Sequence, residues 1–249
     1  MSKIVLTAAS RVGCVRSNNE DMVLAFNKQV RSDIHQIEQD TADCHRFVIA
    51  LADGMGGHSA GEVASELVLS NLDFFVSDLP DGLTPEQVVE QLNAWLQSVN
   101  ILVNSNGNSD PSKRDMGTTL VAVLYYDGHF YWMSCGDSRL YRLRGGKLKQ
   151  LTTDHSLNME TGSLRHSHVL TNCIGAGIKN LYLDMEDFTR DMQHGDVYLL
   201  CSDGLNDMIS DADIEALLNE GASANRLCEA AIEAGGFDNV STIVFSVNP

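Results

Sequence analysis

Blocks of apolar and polar residues alternate along the first fifty positions, and the apolar blocks predict strands. Three short apolar runs have the length of ordinary strands, namely Val5–Ala9, Met22–Phe26 and Phe47–Leu51. The polar stretch from Asn27 to Arg46 lies between the second and third runs, and it predicts a long hairpin loop. We therefore expect the N-terminal part of the chain to supply strands and one large polar connection.

Two later segments show the spacing of amphipathic helices. From Val63 to Val76, apolar residues recur every three or four positions, so that one helix face is expected to pack on the core. The second helix has a defined start, because Thr84 can cap it, Pro85 suits its first turn and Gln87 completes a capping box. Its apolar face consists of Val88, Leu92, Trp95, Leu96, Val99 and Val103.

Strand patterns return after the second helix and predict a meander of antiparallel neighbours. Its strands are Gly117–Tyr125, His129–Cys135, Arg139–Arg144 and Lys147–Leu151. No clear period exists between Thr152 and Gly177, which predicts an irregular flap. The remaining pattern predicts a strand, two helices and a final strand at Asp196–Cys201, Asp211–Asn219, Ala224–Ala234 and Val240–Val247. Paired helices with strand meanders favour an α+β fold, and since no repeat or linker divides the chain, we expect one domain over residues 1–249.

Composition narrows the function classes. The chain has 34 acidic and 17 basic residues among 249, a net charge of −17, which argues against binding to nucleic acid or to anionic membranes. No stretch approaches the roughly 20 apolar residues of a membrane span, and the N-terminus lacks a signal peptide, so that a cytoplasmic protein is expected. We also expect a monomer. The six cysteines contain no Cys-x-x-Cys pair, which predicts reduced core residues.

Carboxylates recur where apolar strands end or turn tightly. Asp53 follows the apolar run Phe47–Ala52 and precedes a glycine-rich loop, although Asp53-Gly54 alone is equally consistent with an ordinary turn. Four other aspartates are placed similarly, namely Asp21, Asp137, Asp203 and Asp238. Hard cations such as Mg²⁺ and Mn²⁺ prefer oxygen ligands and offset the repulsion between neighbouring carboxylates. The pattern therefore predicts convergence of these residues on metal.

At these residues the chain resembles the metal-dependent Ser/Thr protein phosphatases of the PPM family, the protein phosphatase 2C type, in its compact bacterial form. The resemblance covers nearly the whole chain and rests on six segments in family order: Val15–Asp21, Asp53–His58, Met116–Thr119, Cys135–Arg139, Ser202–Leu205 and Gly236–Asn239. One such segment is weakly specific, whereas six in order are highly specific. The resemblance implies a four-layer α/β/β/α sandwich, in which helix pairs flank two antiparallel sheets and the metal centre lies at one end.

The resemblance also implies a role for individual residues in a centre with two ions of Mn²⁺ or Mg²⁺. Asp53 is expected to bridge the two ions, and the backbone carbonyl of Gly54 is expected to bind one of them. Asp203 and Asp238 are expected to bind the other ion. Asp21 would serve that second ion directly or through water, together with Glu20 as a further candidate.

Two more positions match functional residues of the family. Asp137, with Asp203, matches the place of a third, weaker ion, but a structural aspartate in a turn explains Asp137 equally well. Arg16 lies five residues before Asp21, as the family's phosphate-binding arginine does. A guanidinium group stays charged and matches the geometry of a phosphate.

The activity implied by the resemblance is hydrolysis of phosphoserine and phosphothreonine in proteins, by attack of a water that bridges the two ions. The partners implied are phosphorylated proteins and the pathway of an opposing bacterial Ser/Thr kinase. The general acid is open, because this chain has Met55 where animal members have a histidine. His58 is one candidate, with backbone hydrogen bonding as the alternative, while solvated side chains are the default for His155, His166 and His168 in the flap.

Other classes of protein remain to be weighed against a phosphatase. A regulatory module of the same fold, which binds phosphoproteins with little catalysis, would be favoured by loss of Asp53, Asp203 or Asp238, and none is lost. A nucleotide-binding loop at Gly54–Gly61 matches neither G-x-G-x-x-G nor G-x-x-x-x-G-K-[ST]. The enzyme is therefore the main hypothesis and the binding module is the alternative.

Overall fold

The computed structural model of this protein describes residues 3–40, 44–56, 60–157, 159 and 169–248. The strands in this part of the chain are β1 (Lys3–Arg11), β2 (Met22–Ala25), β3 (Lys28–Val30), β4 (Ile34–Asp40), β5 (Arg46–Ala52), β6 (Gly54–Met55), β7 (Gly117–Thr118), β8 (Leu120–Tyr126), β9 (His129–Cys135), β10 (Arg139–Arg144), β11 (Lys147–Gln150), β12 (Ile174–Gly175), β13 (Asp184–Asp187), β14 (Val197–Cys201) and β15 (Val240–Asn248). The helices are α1 (Ala60–Ser77), α2 (Pro85–Ser109), α3 (Asp203–Asn206), α4 (Asp211–Asn219) and α5 (Ala224–Glu233), and a 3₁₀ turn covers Pro111–Lys113.

The strands form two large sheets and one small ribbon. Sheet 1 has the strand order β11-β10-β14-β15-β1-β4, and sheet 2 has the order β13-β9-β8-β5-β2-β3. The ribbon consists of β12, β7 and β6. Neighbouring strands are antiparallel throughout all three, as predicted.

Three apolar cores separate four layers. One core lies between sheet 2 and helices α1 and α2, a second lies between the sheets, and a third lies between sheet 1 and helices α4 and α5. Successive side chains of a strand face opposite sides of its sheet, so Val48 belongs to the first core and Ile49 to the second. This confirms both the α+β fold class and the α/β/β/α sandwich.

The predicted helices begin where their capping signals indicate. The Thr84 hydroxyl accepts the backbone N–H of Gln87, and the Gln87 side chain accepts the backbone N–H of Thr84 at 2.9 Å. All six apolar residues predicted for the inner face of α2 are buried. Ser210 and Asp213 form a second capping box at the start of α4. Local side-chain hydrogen bonds therefore set the start of both helices.

The prediction of one long loop from Asn27 to Arg46 is wrong, because β3 and β4 lie within this stretch and Arg46 begins β5. The sequence pattern also misses β13. These three missed strands are edge strands of the large sheets: β4 borders sheet 1, while β3 and β13 border sheet 2. Edge strands face solvent and carry polar or charged side chains, so they lack the apolar run that identifies a buried strand.

The predicted meander is confirmed in its two hairpins and is wrong between them. β8 pairs with β9 and β10 pairs with β11, but β9 belongs to sheet 2 and β10 to sheet 1. The chain crosses between the sheets at residues 136–138. Gly136 has φ +127°, and a Cβ atom there would lie 2.6 Å from the Cβ of Thr119, so this crossing requires glycine. As a consequence, Asp137 lies where the two sheets adjoin.

The predicted flap contains few regular elements among its described residues, which show an isolated bridge between Ser156 and Leu170 and the short strand β12. Residues 158 and 160–168 of the flap lie outside the described residues. None of the described helices is long and apolar enough to cross a membrane. All six cysteines are free thiols, and four of them are buried. The single domain over residues 1–249 stays a prediction.

Candidate metal centre

Strand register brings the predicted carboxylates to one end of the sandwich. Arg11 at the end of β1 pairs with Val240 at the start of β15, and Cys201 at the end of β14 pairs with Arg139 at the start of β10. In sheet 2, the start of β2 pairs with the end of β5. A cleft of about 810 Å³ opens at this end, and the predicted residues that line it are Arg16, Asp53, Gly54, Asp137, Asp203 and Asp238.

Hydrogen bonds between the Asp53 backbone and Thr118 and Thr119 hold Asp53 in position. Its N–H donates to Oγ1 of Thr119 at 3.0 Å, and its carbonyl accepts from Oγ1 of Thr118 at 2.8 Å and from the N–H of Thr119 at 2.9 Å. The next residue, Gly54, pairs with Thr118 in the ribbon, and a Cβ atom at Gly54 would lie 2.1 Å from the carbonyl oxygen of Gly61. The carboxylate of Asp53 is therefore presented from a fixed backbone, and the close contact with α1 requires glycine at position 54.

Asp21 does not line the cleft but lies behind it, fully buried. Its Oδ2 accepts from the Ser202 hydroxyl at 2.8 Å, whereas its Oδ1 is buried without a hydrogen-bond partner among the described residues. The pKa of Asp21 is raised to about 7, mainly by burial and to a smaller extent by the nearby charges of Asp203 and Asp238. A buried carboxylate oxygen without a donor favours a nearby cation, bound directly or through water.

Ser202 precedes α3 at the capping position, yet its side chain makes no capping hydrogen bond. Its hydroxyl instead accepts from the N–H of Ser241 at 3.0 Å and donates to Asp21. Position 202 therefore links β14, β15 and Asp21. A hydroxyl that both accepts and donates in a buried site fixes the orientation of the carboxylate.

The cleft carboxylates repel one another. The pKa of Asp53 is raised well above its usual range by burial and by the charges of Asp21, Asp203, Asp137 and Asp238. The pKa of Asp137 is raised to about 7, mainly by burial and secondly by Asp203. Oxygen donors under mutual repulsion are suited to a hard divalent cation, so this donor set fits Mn²⁺ or Mg²⁺.

The carboxylates line the cleft without forming a compact cluster. Within the described part of the chain, no group of three or more Asp, Glu, His or Cys side chains is already arranged to hold a metal ion. Mg²⁺ keeps several waters and is commonly bound through only one or two carboxylates. A cation that keeps part of its water shell therefore suits this donor set.

Arg16 lies beside Asp238 at the mouth of the cleft. Its Nη2 donates to Oδ2 of Asp238 at 2.6 Å, and both side chains are partly exposed. This hydrogen bond raises the pKa of Arg16, so the guanidinium is charged at any working pH. Since a guanidinium has five N–H donors, the bond to Asp238 leaves capacity for a phosphate oxygen.

His155 is buried, contrary to the prediction of a solvated flap residue. Its ring Nδ1 accepts the backbone N–H of Gly136 at 3.0 Å, and the backbone N–H of His155 donates to the Gly136 carbonyl at 2.9 Å. Ser138, on the other side of Asp137, is hydrogen-bonded to Thr119 at 2.7 Å. His155 thus fixes the turn that carries Asp137. The other histidines considered, His58, His166 and His168, lie outside the described residues.

Other residues in and behind the cleft escape the sequence analysis. Thr119, Ser202 and Asn239 lie within the six matching segments, so their positions could have been singled out from the sequence. Their roles depend on hydrogen bonds that the sequence does not show. Asn239 accepts the N–H of Glu20 at 2.8 Å through its side chain and so fixes the segment before Asp21. The cleft wall also includes Leu170, Asp207, Met208 and Phe237, and of these only Phe237 lies in a matching segment.

Comparisons with known proteins agree with this fold. A family model described as protein phosphatase 2C matches residues 26–232. The chain is 37% identical over 256 residues to serine/threonine protein phosphatase PstP of Mycobacterium tuberculosis, an alignment that covers 98% of this chain and 45% of PstP. It is 33% identical over 249 residues to protein phosphatase PhpP of Streptococcus pneumoniae, covering 95% of both.

A solved structure of the PstP catalytic domain, in complex with two manganese ions, has a TM-score of 0.75 and 34% identity, with 100% of both chains covered. The chain belongs to the protein phosphatase 2C family. The resemblance seen in the sequence is therefore confirmed. The chain spans about half the length of the mycobacterial relatives that it matches.

The raised carboxylate pKa values predict how metal affects stability at different pH. Without metal, Asp21 is preferentially protonated in the folded protein, so its contribution to stability is fully present below about pH 4 and is lost as pH rises toward 7. Metal favours the ionised carboxylate and binds only the folded site. We expect saturating Mn²⁺ to raise the melting temperature more at pH 8 than at pH 5.5, as measured by thermal unfolding.

An Asp21→Asn variant is the control for this pH effect. Its amide does not titrate, so the difference between the Mn²⁺-induced shifts at the two pH values should shrink. Equal shifts at pH 5.5 and pH 8 in the unsubstituted protein would contradict the assignment of Asp21 to the metal centre.

Proposed function

We propose that this protein is a phosphatase that hydrolyses phosphoserine and phosphothreonine in proteins and depends on Mn²⁺ or Mg²⁺. The observation that carries the proposal is the convergence of Asp53, Asp137, Asp203 and Asp238 with Arg16 on one cleft of a protein phosphatase 2C fold. Relatives that are named serine/threonine phosphatases support the substrate class.

The proposed metal ligands are Asp53, which is shared by two ions, the carbonyl of Gly54, and Asp203 with Asp238. Asp21 lies behind these residues and is proposed to act on the second ion, through water if not directly. The bound ions supply a water of lowered pKa as nucleophile and offset the charge that develops on the phosphate. The hydroxyls of Thr118 and Thr119 keep Asp53 in place during the reaction.

Arg16 is proposed to bind and orient the phosphate. It lies at the cleft mouth within reach of Asp238, so a phosphate that it holds is presented to the carboxylate cluster. A guanidinium group can hold two phosphate oxygens at once and so fixes their orientation. Asp137, with Asp203, is proposed to hold a third, weaker ion, and the hydrogen bonds around Gly136 and Ser138 support a fixed position for Asp137.

The proposed partners are phosphorylated proteins produced by an opposing Ser/Thr kinase, and we propose that the phosphatase acts as a cytoplasmic monomer. The charge of −17 supports a preference for protein substrates over nucleic acid and anionic membranes. The relatives' names support the link to serine and threonine phosphorylation.

The test is phosphate release from a phosphothreonine peptide and from a small aryl phosphate, after treatment with chelator and titration with Mn²⁺ or Mg²⁺. We expect no release without metal and saturable release as metal is added. A folded protein that binds the phosphopeptide but releases no phosphate at any metal concentration would overturn the proposal in favour of the binding module.

A further inference from the structure

Two large apolar side chains lie in water beside the Arg16–Asp238 pair. Val15 and Phe237 are each 64% exposed. In the sequence, Val15 directly precedes Arg16 and Phe237 directly precedes Asp238. Phe237 lines the cleft together with the partly buried Met208. Single exposed apolar residues are ordinary, but Phe237 and Met208 line the same cleft as Arg16, so apolar surface lies where a phosphate held by Arg16 would enter.

The segments that carry these side chains are held together by their backbones. The N–H of Cys14 donates to the carbonyl of Gly236 at 2.7 Å. A Cβ atom at Gly13 would lie 2.2 Å from the carbonyl oxygen of Asp238, so the two segments are in close contact at this point as well. The backbones that carry Val15 and Phe237 are therefore held in fixed positions relative to each other.

We propose that Val15, Phe237 and Met208 form an apolar rim that binds the residues flanking the phosphorylated side chain of a protein substrate. This inference rests on the proposed function, because it places the phosphate at Arg16. A phosphoresidue that reaches from the cleft mouth to the carboxylates leaves its chain neighbours at the rim. Apolar neighbours then remove part of the Phe237 ring from water, which favours their binding.

The charge of the cleft favours apolar flanking residues of a substrate over acidic ones and over a second copy of this chain. Glu20 and Asp207 line the same cleft, and the chain carries a net charge of −17. Acidic flanking residues would be repelled by these carboxylates, so the rim should prefer apolar over acidic neighbours. A second copy of this chain is disfavoured as occupant, because a symmetric contact would bring two acidic clefts face to face.

The test uses three phosphothreonine peptides that differ only in the two residues flanking the phosphothreonine, which are leucine, alanine or glutamate. Their kcat/KM values are measured for the unsubstituted protein, for Phe237→Ala and for Phe74→Ala. Phe74 is the matched control, because it is 70% exposed on α1 and does not line the cleft.

We expect the unsubstituted protein to favour the leucine peptide over the alanine peptide by roughly fivefold, mainly through KM, which is the scale of a partly buried apolar contact. Glutamate should be the poorest. Phe237→Ala should lose the leucine preference, whereas Phe74→Ala should keep it. If Phe237→Ala unfolds, Phe237→Leu supplies the result, since it should reduce the preference without removing it.

Two outcomes would overturn the proposed apolar rim, and a third would overturn the proposed phosphatase function as well. If Phe237→Ala slows all three peptides equally, or keeps the leucine preference, the ring does not read flanking residues. If sedimentation shows a dimer that Phe237→Ala dissociates while the peptide preference is unchanged, the surface joins two copies instead. If the unsubstituted protein releases no phosphate from any peptide with Mn²⁺ present, the proposed phosphatase function itself fails.

Discussion

Asp53→Asn is expected to lower Mn²⁺-dependent phosphate release by about 10³-fold or more, the scale of about 4 kcal/mol in transition-state stabilisation. The substitution removes the charge proposed to be shared by two ions but keeps the size of the side chain. The backbone bonds of residue 53 to Thr118 and Thr119 do not involve the carboxylate, so they should persist. The measurement is kcat/KM on a phosphothreonine peptide at saturating Mn²⁺.

The same substitution should stabilise the metal-free protein, which separates a functional defect from misfolding. Asp53 is repelled by Asp21, Asp203, Asp137 and Asp238, and a neutral amide relieves that repulsion. The melting temperature without metal should therefore rise, while the gain on adding Mn²⁺ should shrink. Asp33→Asn is the control, because Asp33 is exposed between β3 and β4. It should change neither the melting temperature without metal nor the gain in melting temperature on adding Mn²⁺. Retention of more than a tenth of the activity by Asp53→Asn would refute the bridging role.

Arg16→Ala is expected to raise KM for phosphopeptides by roughly tenfold or more, since a charge-assisted hydrogen bond contributes about 1.5–3 kcal/mol. It should also lower the Mn²⁺ concentration needed for half-maximal activity. Arg16 forms an ion pair with Asp238. Without the positive charge of Arg16, the Asp238 carboxylate attracts a metal cation more strongly. Both quantities come from one set of titrations of peptide and metal.

Arg16→Lys and Arg190→Ala complete the comparison. Lysine keeps the charge but not the planar fork, so it should restore only part of the phosphate affinity. Arg190 is an exposed arginine that does not line the cleft, and its removal should leave both parameters unchanged. Unaltered KM in Arg16→Ala would assign phosphate binding to another group.

The strands inside the two large sheets could be predicted from sequence, whereas three of the four edge strands could not; the fourth edge strand, β11, was predicted as part of its hairpin with β10. The strands that become β5, β8 and β14 lie inside their sheets and have continuous apolar runs, so the pattern identifies them. β4 and β13 are edge strands with polar sequences, and their hydrogen bonds to β1 and β9 arise from tertiary pairing. The crossing between β9 and β10 likewise escapes a local pattern, because two strands joined by a short turn ordinarily pair.

The site was predicted in outline because its carboxylates lie in recognisable segments. Five predicted aspartates do lie together at one end of the sandwich, although their roles as ligands remain proposals. Sequence could not distinguish Asp21, which lies behind the cleft, from Asp53, which lines it, because burial depends on elements far away in the chain. The same reason explains the buried position of His155, whose partner Gly136 belongs to a different turn.

The pairing of β1 with β15 has a consequence for the time at which activity is acquired during synthesis. Residues 3–11 pair with residues 240–248 along their whole length, so β1 has one of its two neighbours only after residue 248 has left the ribosome. Asp238 and the segment that holds Arg16 enter the cleft through this same pairing. Long-range strand pairing is slow, because the chain loses much of its freedom before the contact forms. A nascent chain should therefore lack the proposed phosphatase activity until β15 has docked on β1.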